Sequence, residues 1–278
     1  MMLIDGRKIA AELGAELTGR IGALGHRPGL AIVVATGDES TAWYVRSLLR
    51  TAEKLGIAAR RVDLPHDSDA GTIRGALAQA AADPGTHGVI CQTPLPHGLT
   101  LPDVAAVIPP ELDVDGANPV SLGLLAAGVA GAFAPATAAA VLKILDHEGV
   151  ELTGRRAVVI GRSNVVGKPA ALMLLARHAT VTVCHSRTPD LAAVAREADV
   201  LVAAVGRPKL VTAGYVKPGA VVVDVGTNAT PDGGLVGDVD TAAVEQVAAA
   251  ITPVPGGVGP VTTMVLMHNV VTVAERGR

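Results

Sequence analysis

The chain has few aromatic residues and few cysteines. Phe, Trp and Tyr make up 1% of its 278 residues, so Ala, Val, Leu and Ile must pack the core. Such a composition suits an α/β protein with buried parallel strands. The two cysteines, Cys91 and Cys184, are far apart and follow apolar runs. They exclude a disulfide framework and indicate buried thiols in a reducing compartment.

Other features that the sequence lacks exclude further classes of function. The net charge is -3 and no basic stripe occurs, so no nucleic acid partner is expected. No apolar run reaches the roughly 20 residues that span a bilayer. The N-terminal stretch MMLIDGRKIA lacks the apolar region of a signal peptide. The histidines show no metal-ligand spacing. We therefore expect a soluble cytoplasmic protein with no membrane contact and no metal.

Segments typical of strands and helices alternate along the chain. Continuous apolar runs such as GLAIVVAT (29–36) and RRAVVIG predict buried strands, and helical patterns follow them. This alternation predicts parallel βαβ units. The stretch after LDVDG (112–116) is interpreted as loop until about residue 135. We predict a first domain of residues 1–134 plus 261–278 and a second domain of residues 135–260.

A glycine-containing corner begins the second domain. In VVIGRSNVVGKP (158–169), Gly161 and Gly167 join a predicted strand to a predicted helix, with Ser163 where the dinucleotide fingerprint usually has its second glycine. Glycine permits a tight turn, and a helix N-terminus offers N–H groups to a pyrophosphate. The alternative is an ordinary strand-turn-helix corner.

The end of the next strand bears on the choice of cofactor. An NAD-binding protein usually has an acidic residue there for the ribose hydroxyl. This chain instead has CHSRT, with Ser186 and Arg187, and Arg162 lies in the glycine corner. A hydroxyl and guanidinium groups suit a 2′-phosphate, which favours NADP. Alternatively, Arg187 is a solvated loop arginine. Later strand ends add the cofactor-binding candidates Gly206, Gly226, Thr227 and Asn228.

Several motifs together resemble one enzyme family. VVIGRSNVVGKPAALMLLARHATVTVCHSRT, ADVLVAAVGRP, KPGAVVVDVGTN, GLVGDVD and ITPVPGGVGPVTTMVLMHN resemble methylenetetrahydrofolate dehydrogenase/cyclohydrolase. The resemblance covers nearly the whole chain and is strongest from about residue 153 to 270. The PVPGGVGPVT run (253–262) is its most specific motif.

The resemblance implies an architecture and two reactions. It implies two α/β domains around a cleft, the second a Rossmann-like doubly wound parallel sheet, usually in a homodimer. Such enzymes oxidise 5,10-methylenetetrahydrofolate with NADP to the methenyl form. They then hydrolyse that product to 10-formyltetrahydrofolate. The expected partner is therefore a reduced folate.

The resemblance also assigns folate-site residues. Tyr44, Gln92 in CQTPLP and Asp115 in LDVDG match the family's pattern, whereas Leu48 occupies the position of its catalytic lysine. Pro255, Gly256 and Gly257 are the further substrate-binding candidates. The simpler alternatives are that the tyrosine packs, that the glutamine bonds a loop and that the aspartate caps a turn. The family pattern is also changed at Leu112, at DGANP (115–119) and at PATAAA (135–140).

Leu48 has a chemical consequence. Arginine outnumbers lysine in this chain, so compositional drift would have kept a cation at position 48. Hydride transfer mainly requires that the reactants be held in position, but hydrolysis needs proton transfer, which leucine cannot provide. We therefore predict an NADP-dependent dehydrogenase with weak or lost cyclohydrolase activity. The alternatives are a full bifunctional enzyme, a non-catalytic folate or NADP binding protein, and a dehydrogenase with an altered substrate.

Overall fold

The described chain forms two compact α/β units. A computed structural model describes residues 2–277, apart from the side chain of Ser40. The six-stranded unit comprises the described residues up to Ala11 together with Thr137–Thr262. The three-stranded unit comprises Glu12–Ala136 and the described residues from Thr263 onwards. Each unit is built on a parallel sheet, so the predicted fold class is confirmed.

The helices and strands have the following bounds. The strands are β1 (Met2–Leu3), β2 (Gly29–Val34), β3 (Ala58–Asp63), β4 (Gly88–Cys91), β5 (Arg156–Ile160), β6 (Thr180–Cys184), β7 (Val200–Ala203), β8 (Val221–Asp224), β9 (Asn228–Ala229), β10 (Leu235–Val236) and β11 (Ala250–Ile251). The helices are α1 (Gly6–Ala23), α2 (Glu39–Leu55), α3 (Ala70–Ala82), α4 (Leu101–Val104), α5 (Pro119–Ala126), α6 (Ala136–His147), α7 (Gly167–Ala176), α8 (Leu191–Ala195), α9 (Thr241–Val244) and α10 (Val258–Glu275). Turns of 3₁₀ helix lie at Pro96–Gly98, Ala105–Val107 and Ala213–Tyr215.

The sheet of the three-stranded unit has the order β3-β2-β4, with all strands parallel. Every residue of the central strand β2 is buried, as its continuous apolar run predicts. Helix α2 ends at Gly56, which has the left-handed conformation (φ 87°) that favours glycine. Apolar side chains of α2 and α3, including Leu48 and Leu77, pack with the strands in one core.

The main sheet of the other unit has the order β1-β11-β8-β7-β5-β6 and is parallel throughout. After β5 the chain first adds β6 on one side and then β7 on the other. The order of the strands therefore reverses between β5 and β7. In open parallel sheets a crevice forms at such a reversal, outside the carboxyl ends of the strands, and ligands bind there. Strands β9 and β10 form a separate antiparallel pair.

Two sequence-based assignments differ from the structure. Residues 117–135, interpreted as loop, contain the helix α5. This helix has only eight residues and no clear apolar periodicity, although its start is marked by the cap Asn118 and by Pro119. Residues 2–11, assigned to the first domain, belong to the six-stranded unit, because β1 pairs with β11. A two-residue strand is too short to show a periodicity.

Two kinds of feature, a membrane-spanning helix and a metal-binding cluster, are absent from the residues that the structure describes. Between Met2 and Gly277, no helix combines the length and apolarity that a membrane span requires. Over the same range, no three His, Cys, Asp or Glu side chains group in a way that could hold a metal ion.

Candidate functional site

The carboxyl edge of the three-stranded sheet positions two of the predicted folate-site residues. Asp38 caps α2, its carboxylate accepting from the Thr41 N–H at 2.7 Å. The Thr41 hydroxyl lies 3.0 Å from the carbonyl oxygen of Thr93, which connects the first turn of α2 to the loop after β4. The N–H of Gln92 donates to the Val33 carbonyl at 2.9 Å. The start of α2 and Gln92 therefore lie at the same edge of the sheet.

Tyr44 and Leu48 are one helical turn apart in α2, so they share a face. Tyr44 is half-buried and packs against the core, whereas Leu48 is 0% exposed and belongs to that core. The residue at the expected lysine position is therefore enclosed by apolar groups. Trp43, which precedes Tyr44, is 63% exposed.

The two aspartates of LDVDG have different environments. Asp113 is fully buried, and its carboxylate accepts from the N–H groups of Ala117 (2.9 Å) and Asn118 (2.8 Å) and from the Ser121 hydroxyl (2.5 Å). It thereby orders the turn that leads into α5. Asp115 is half-buried. This contrast makes Asp113 a structural residue and leaves Asp115 as the aspartate that a ligand could reach.

Asp115 and two nearby groups, Tyr44 and Cys91, have raised pKa values. Burial, together with the charge of Asp113, raises the pKa of Asp115 to about 7, although a hydrogen bond from the Ala136 N–H opposes the shift. Burial also raises the pKa of Tyr44 and brings that of Cys91 to about 12, and Asp115 contributes to both shifts. No lysine or arginine of the described chain contributes to these three shifts. The charges that act here are therefore carboxylates.

Gln92 is 8% exposed. Among the described residues, none forms a hydrogen bond with its side-chain amide. A nearly buried amide without a protein partner is available to hydrogen-bond a ligand. The structure thus brings Gln92 to the sheet edge that carries Tyr44, and the charge of Asp115 acts on Tyr44.

The predicted glycine corner lies between β5 and α7. Gly161 has φ 129°, and a Cβ atom there would collide with the carbonyl oxygen of Ala204, so only glycine fits. A Cβ atom at Gly167 would likewise collide with the Gly161 carbonyl. The Ser163 hydroxyl accepts from the N–H groups of Val166 (3.1 Å) and Gly167 (3.4 Å). Ser163 therefore orders the turn at the position where a glycine was expected.

The candidates for a 2′-phosphate lie at neighbouring strand ends. Strand β5 pairs with β6 through Ile160 and Cys184, so the residues after each strand are adjacent at one sheet edge. Arg162 follows β5, and Ser186 and Arg187 follow β6, with all three side chains exposed. Two guanidinium groups and a hydroxyl at one edge provide suitable donors for a phosphate.

The remaining candidates follow other strands of the same sheet. Gly206 (φ 64°) follows β7, and Gly226, Thr227 and Asn228 follow β8. Pro255, Gly256 and Gly257 follow β11, and Gly256 has φ 105°. Because these strands are parallel, all of these residues emerge at the carboxyl edge, where ligands of such sheets bind.

Two buried carboxylates at this edge, Asp224 and Asp238, were not predicted from the sequence. Burial raises the pKa of Asp224 to about 6, although hydrogen bonds from the N–H groups of Val239, Asp238 and Gly226 oppose the shift. Asp238 is 0% exposed and accepts from several loop amides. The sequence signal that could have indicated these buried carboxylates is an aspartate next to apolar strand residues, as in VVVD and GDVD.

A Rossmann-like parallel sheet with a glycine corner, accompanied by a second parallel α/β unit, defines a class of two-domain dinucleotide-dependent enzymes. Comparison with known proteins identifies the family. Residues 4–115 match the tetrahydrofolate dehydrogenase/cyclohydrolase catalytic domain, and residues 135–278 match the NAD(P)-binding domain of the same family.

Similar proteins match the chain over almost its full length. The Bifunctional protein FolD of Parafrankia is 59% identical, with 99% of both chains covered. The structure of a bifunctional FolD methylenetetrahydrofolate dehydrogenase/cyclohydrolase from Campylobacter jejuni has 36% identity and a TM-score of 0.96, and 99% of each chain is covered. That of the Trypanosoma brucei FolD, a complex with NADP and an inhibitor, has 37% identity and a TM-score of 0.94, with 99% and 98% covered.

The chain therefore belongs to the tetrahydrofolate dehydrogenase/cyclohydrolase family. The predictions of this family, of an enzyme and of a Rossmann-like domain that binds a nicotinamide dinucleotide are confirmed. The roles of the individual site residues stay predictions.

Proposed function

We propose that the chain oxidises 5,10-methylenetetrahydrofolate with NADP to 5,10-methenyltetrahydrofolate, and that its cyclohydrolase activity is weak or lost. Family membership along the whole chain supports the dehydrogenase reaction. The single observation that supports the loss of hydrolysis is the position of Leu48, which is 0% exposed in an apolar core where the family pattern has a lysine.

Oxidation requires little acid–base chemistry from the protein. A hydride leaves the methylene carbon between two folate nitrogens, and the lone pairs of these nitrogens stabilise the cation that forms. NADP, when bound, supplies the acceptor for this hydride. The protein has to hold the two reactants in position and exclude water, tasks that a leucine at position 48 permits.

Hydrolysis of the methenyl product, unlike oxidation, requires proton transfer. Water must add to the methenyl carbon and lose a proton, and a ring nitrogen must then leave. General acid–base catalysis of such steps contributes about 10²–10⁴ in rate. Leu48 cannot contribute, and the charge that acts on Tyr44 is that of the Asp115 carboxylate. The proposed function also assigns binding roles in the folate site. Gln92 and Asp115 bind the folate, and the Asp115 carboxylate accepts hydrogen bonds from the paired donors of the pterin ring.

The cofactor proposal is NADP. The exposed guanidinium groups of Arg162 and Arg187 and the Ser186 hydroxyl suit a 2′-phosphate, and no acidic residue ends β6. The NADP complex of the Trypanosoma brucei relative supports the same choice. The collision that a Cβ atom would make at Gly161 indicates a corner as tight as a pyrophosphate site requires.

One observation favours a second candidate, the full bifunctional enzyme. Asp115 has a pKa of about 7 and acts electrostatically on Tyr44. A carboxylate with that pKa is a suitable general base near neutral pH. In this alternative, Asp115 replaces the missing lysine and activates the attacking water.

A two-stage assay distinguishes the candidates. Pure protein is first given methylenetetrahydrofolate with NADP or NAD, and the absorbance of the methenyl product is followed. The protein is then given methenyltetrahydrofolate alone, and its loss is compared with the loss in buffer. We expect oxidation with NADP and loss at the buffer rate. Loss well above the buffer rate that Gln92→Ala abolishes would establish the bifunctional enzyme, and absence of any turnover would leave a binding protein.

The homodimer and the cytoplasmic location stay predictions. The strand β6 ends the six-stranded sheet, and Val183 on that strand is 41% exposed, which supports an association of two chains along this edge. Sedimentation of the pure protein would measure its mass in solution.

A further inference from the structure

The loop after β7, residues 204–207, adjoins the point where the strand order reverses. It follows the strand beside β5, and its Ala204 carbonyl is the group that a Cβ atom at Gly161 would strike. The loop therefore packs against the glycine corner and forms one wall of the crevice in which a dinucleotide is expected. Its backbone conformation determines the shape of that crevice.

One carboxylate, far along the chain, binds this loop. Asp238 accepts from the N–H groups of Val205 (2.6 Å), Gly206 (2.9 Å) and Arg207 (2.8 Å). It also accepts from the side-chain amide of Asn228 at 3.0 Å, which extends the contact to the loop after β8. Three consecutive backbone amides thus converge on a side chain that is 0% exposed.

Asp238 is itself held by the second buried carboxylate. The carboxylate of Asp224 at the end of β8 accepts from the N–H of Asp238 (3.0 Å) and from that of Val239 (2.9 Å). The N–H of Asp224 donates to the Thr252 hydroxyl at 2.8 Å, which connects the pair to the segment after β11. The arrangement therefore spans the ends of β7, β8 and β11 and is part of the folded six-stranded unit.

The geometry requires a side chain with two acceptor oxygens at position 238. Four donors point at its two oxygens, and a carboxylate is an acceptor with about four lone-pair sites. Asparagine has the same shape but replaces one oxygen by an NH₂ group, which would face N–H donors and leave them unsatisfied. A Cβ atom at Gly226 would collide with the Asp238 carboxyl group, so the side chain also has little room to move.

We infer that Asp238 is a positioning residue for the dinucleotide cofactor: by binding the Val205, Gly206 and Arg207 amides it sets the wall of the crevice before the cofactor arrives. The inference rests on the NADP use proposed above. It assigns a role to a residue that does not touch the cofactor and acts through the loop.

The test compares two Asp→Asn variants. Asp238 binds the loop that follows β7, and the control, Asp199, lies before the start of β7. Asp199 precedes β7 and accepts from the Arg156 N–H (2.9 Å) and from the Lys217 ammonium (2.6 Å), so it also connects neighbouring segments. Calorimetric titration with NADP, well below the melting temperature of each variant, measures Kd. We expect Asp238→Asn to raise the Kd by about tenfold or more, as loss of hydrogen bonds to a charged group predicts. Asp199→Asn should change it by less than about twofold.

Steady-state kinetics and hydrogen exchange supply further readouts. Asp238→Asn should raise the KM for NADP and leave the KM for the folate within about twofold, whereas general loss of structure would lower the active fraction without moving either constant. In the unmodified protein without NADP, the amides of Val205, Gly206 and Arg207 should already exchange slowly. This measurement decides the matter if Asp238→Asn does not fold.

Two results would overturn the inference. One is an unchanged NADP Kd in folded Asp238→Asn. The other is fast exchange of the three amides that becomes slow only when NADP is added. If the unmodified protein itself does not bind NADP, the proposed function fails, and that outcome is separate from either result.

Discussion

At the scale of single residues, the proposed loss of cyclohydrolase activity depends on the side chain at position 48. Leucine there is fully buried, so it stabilises the three-stranded unit by packing, and it brings no proton donor or acceptor beside Tyr44. The same position in the family pattern carries an ammonium. Under the proposed function, this one substitution exchanges an acid–base group for apolar burial.

Replacing this leucine tests the exchange. We expect Leu48→Lys to increase methenyl hydrolysis by about 10² or more, within the usual contribution of acid–base groups. It should also lower the melting temperature, because an ammonium would enter an apolar core. Leu49→Lys, the next residue of α2 and only partly buried, is the matched control and should leave hydrolysis unchanged. A folded Leu48→Lys variant with no gain would argue against the account.

Asp115 should reduce stability at neutral pH. Its pKa is about 7 in the folded protein and about 4 when unfolded, so the folded state binds the proton more tightly. Stability contributed by this group is therefore greatest below about pH 4 and falls as the pH rises to about 7. Asp115→Asn should remove that loss and raise the free energy of unfolding at pH 8 by about 1–2 kcal/mol.

Urea unfolding of both proteins at pH 4 and pH 8 measures this effect. The advantage of Asp115→Asn should be small at pH 4 and larger at pH 8, while oxidation of the folate falls sharply. An advantage that is equal at both pH values would mean that the aspartate is not the titrating group.

At this scale the sequence could propose candidate residues for a folate site, but not their electrostatics. Tyr44, Gln92 and Asp115 were identified by motif, and the structure adds that Asp113 accepts three hydrogen bonds while Asp115 is left partly open. Burial and the orientation of a carboxylate depend on tertiary contacts. Two aspartates separated by one residue look alike in a sequence.

At the scale of elements, we expect the glycine corner after β5 to position the cofactor. Gly161→Ala should cost about 1–3 kcal/mol of stability, because φ 129° is strained for alanine and the Ala204 carbonyl leaves no room for a Cβ atom. It should also weaken NADP binding. Gly75→Ala is the control, since Gly75 lies in the interior of α3 with open space around it. That variant should gain up to about 1 kcal/mol.

Chemical denaturation and NADP titration of both variants check this prediction. A Gly161→Ala protein as stable as the original, with the same affinity for NADP, would show that the corner does not need glycine.

The elements that sequence reasoning missed were short or lacked periodicity. Continuous apolar runs predicted β2, β5, β7 and β8, because strands buried on both faces leave a clear pattern. Strand β1 has two residues, and the eight residues of α5 show no regular spacing of apolar positions, so neither offers a period to recognise. Their places were determined by pairing with β11 and by the cap at Asn118.

At the scale of the whole molecule, the two units differ in how closely they follow the family pattern. In the six-stranded unit, the motifs at the ends of β5, β7, β8 and β11 are all present. In the three-stranded unit, Leu48 is buried and apolar where the pattern has a lysine, and Leu112, which also departs from the pattern, is buried as well. The expected result is an enzyme that releases an intact methenyl product, which a separate hydrolase must then consume.

Cofactor choice is a property of the whole carboxyl edge of the larger sheet. We expect kcat/KM for NADP to exceed that for NAD by about tenfold or more, since charge-assisted contacts to the 2′-phosphate are made with NADP alone. The double variant Arg162→Ala/Arg187→Ala should reduce this preference, and Arg196→Ala, an exposed arginine of the same unit, should not. Equal use of both cofactors by the unmodified protein would contradict the assignment.

The most direct measurement follows both products in a single reaction. The pure protein is mixed with methylenetetrahydrofolate and NADP, and NADPH, methenyltetrahydrofolate and 10-formyltetrahydrofolate are quantified over time. We predict that NADPH and methenyltetrahydrofolate appear in equal amounts and that 10-formyltetrahydrofolate forms at the rate seen in buffer. Formation of 10-formyltetrahydrofolate in step with NADPH would contradict the central claim.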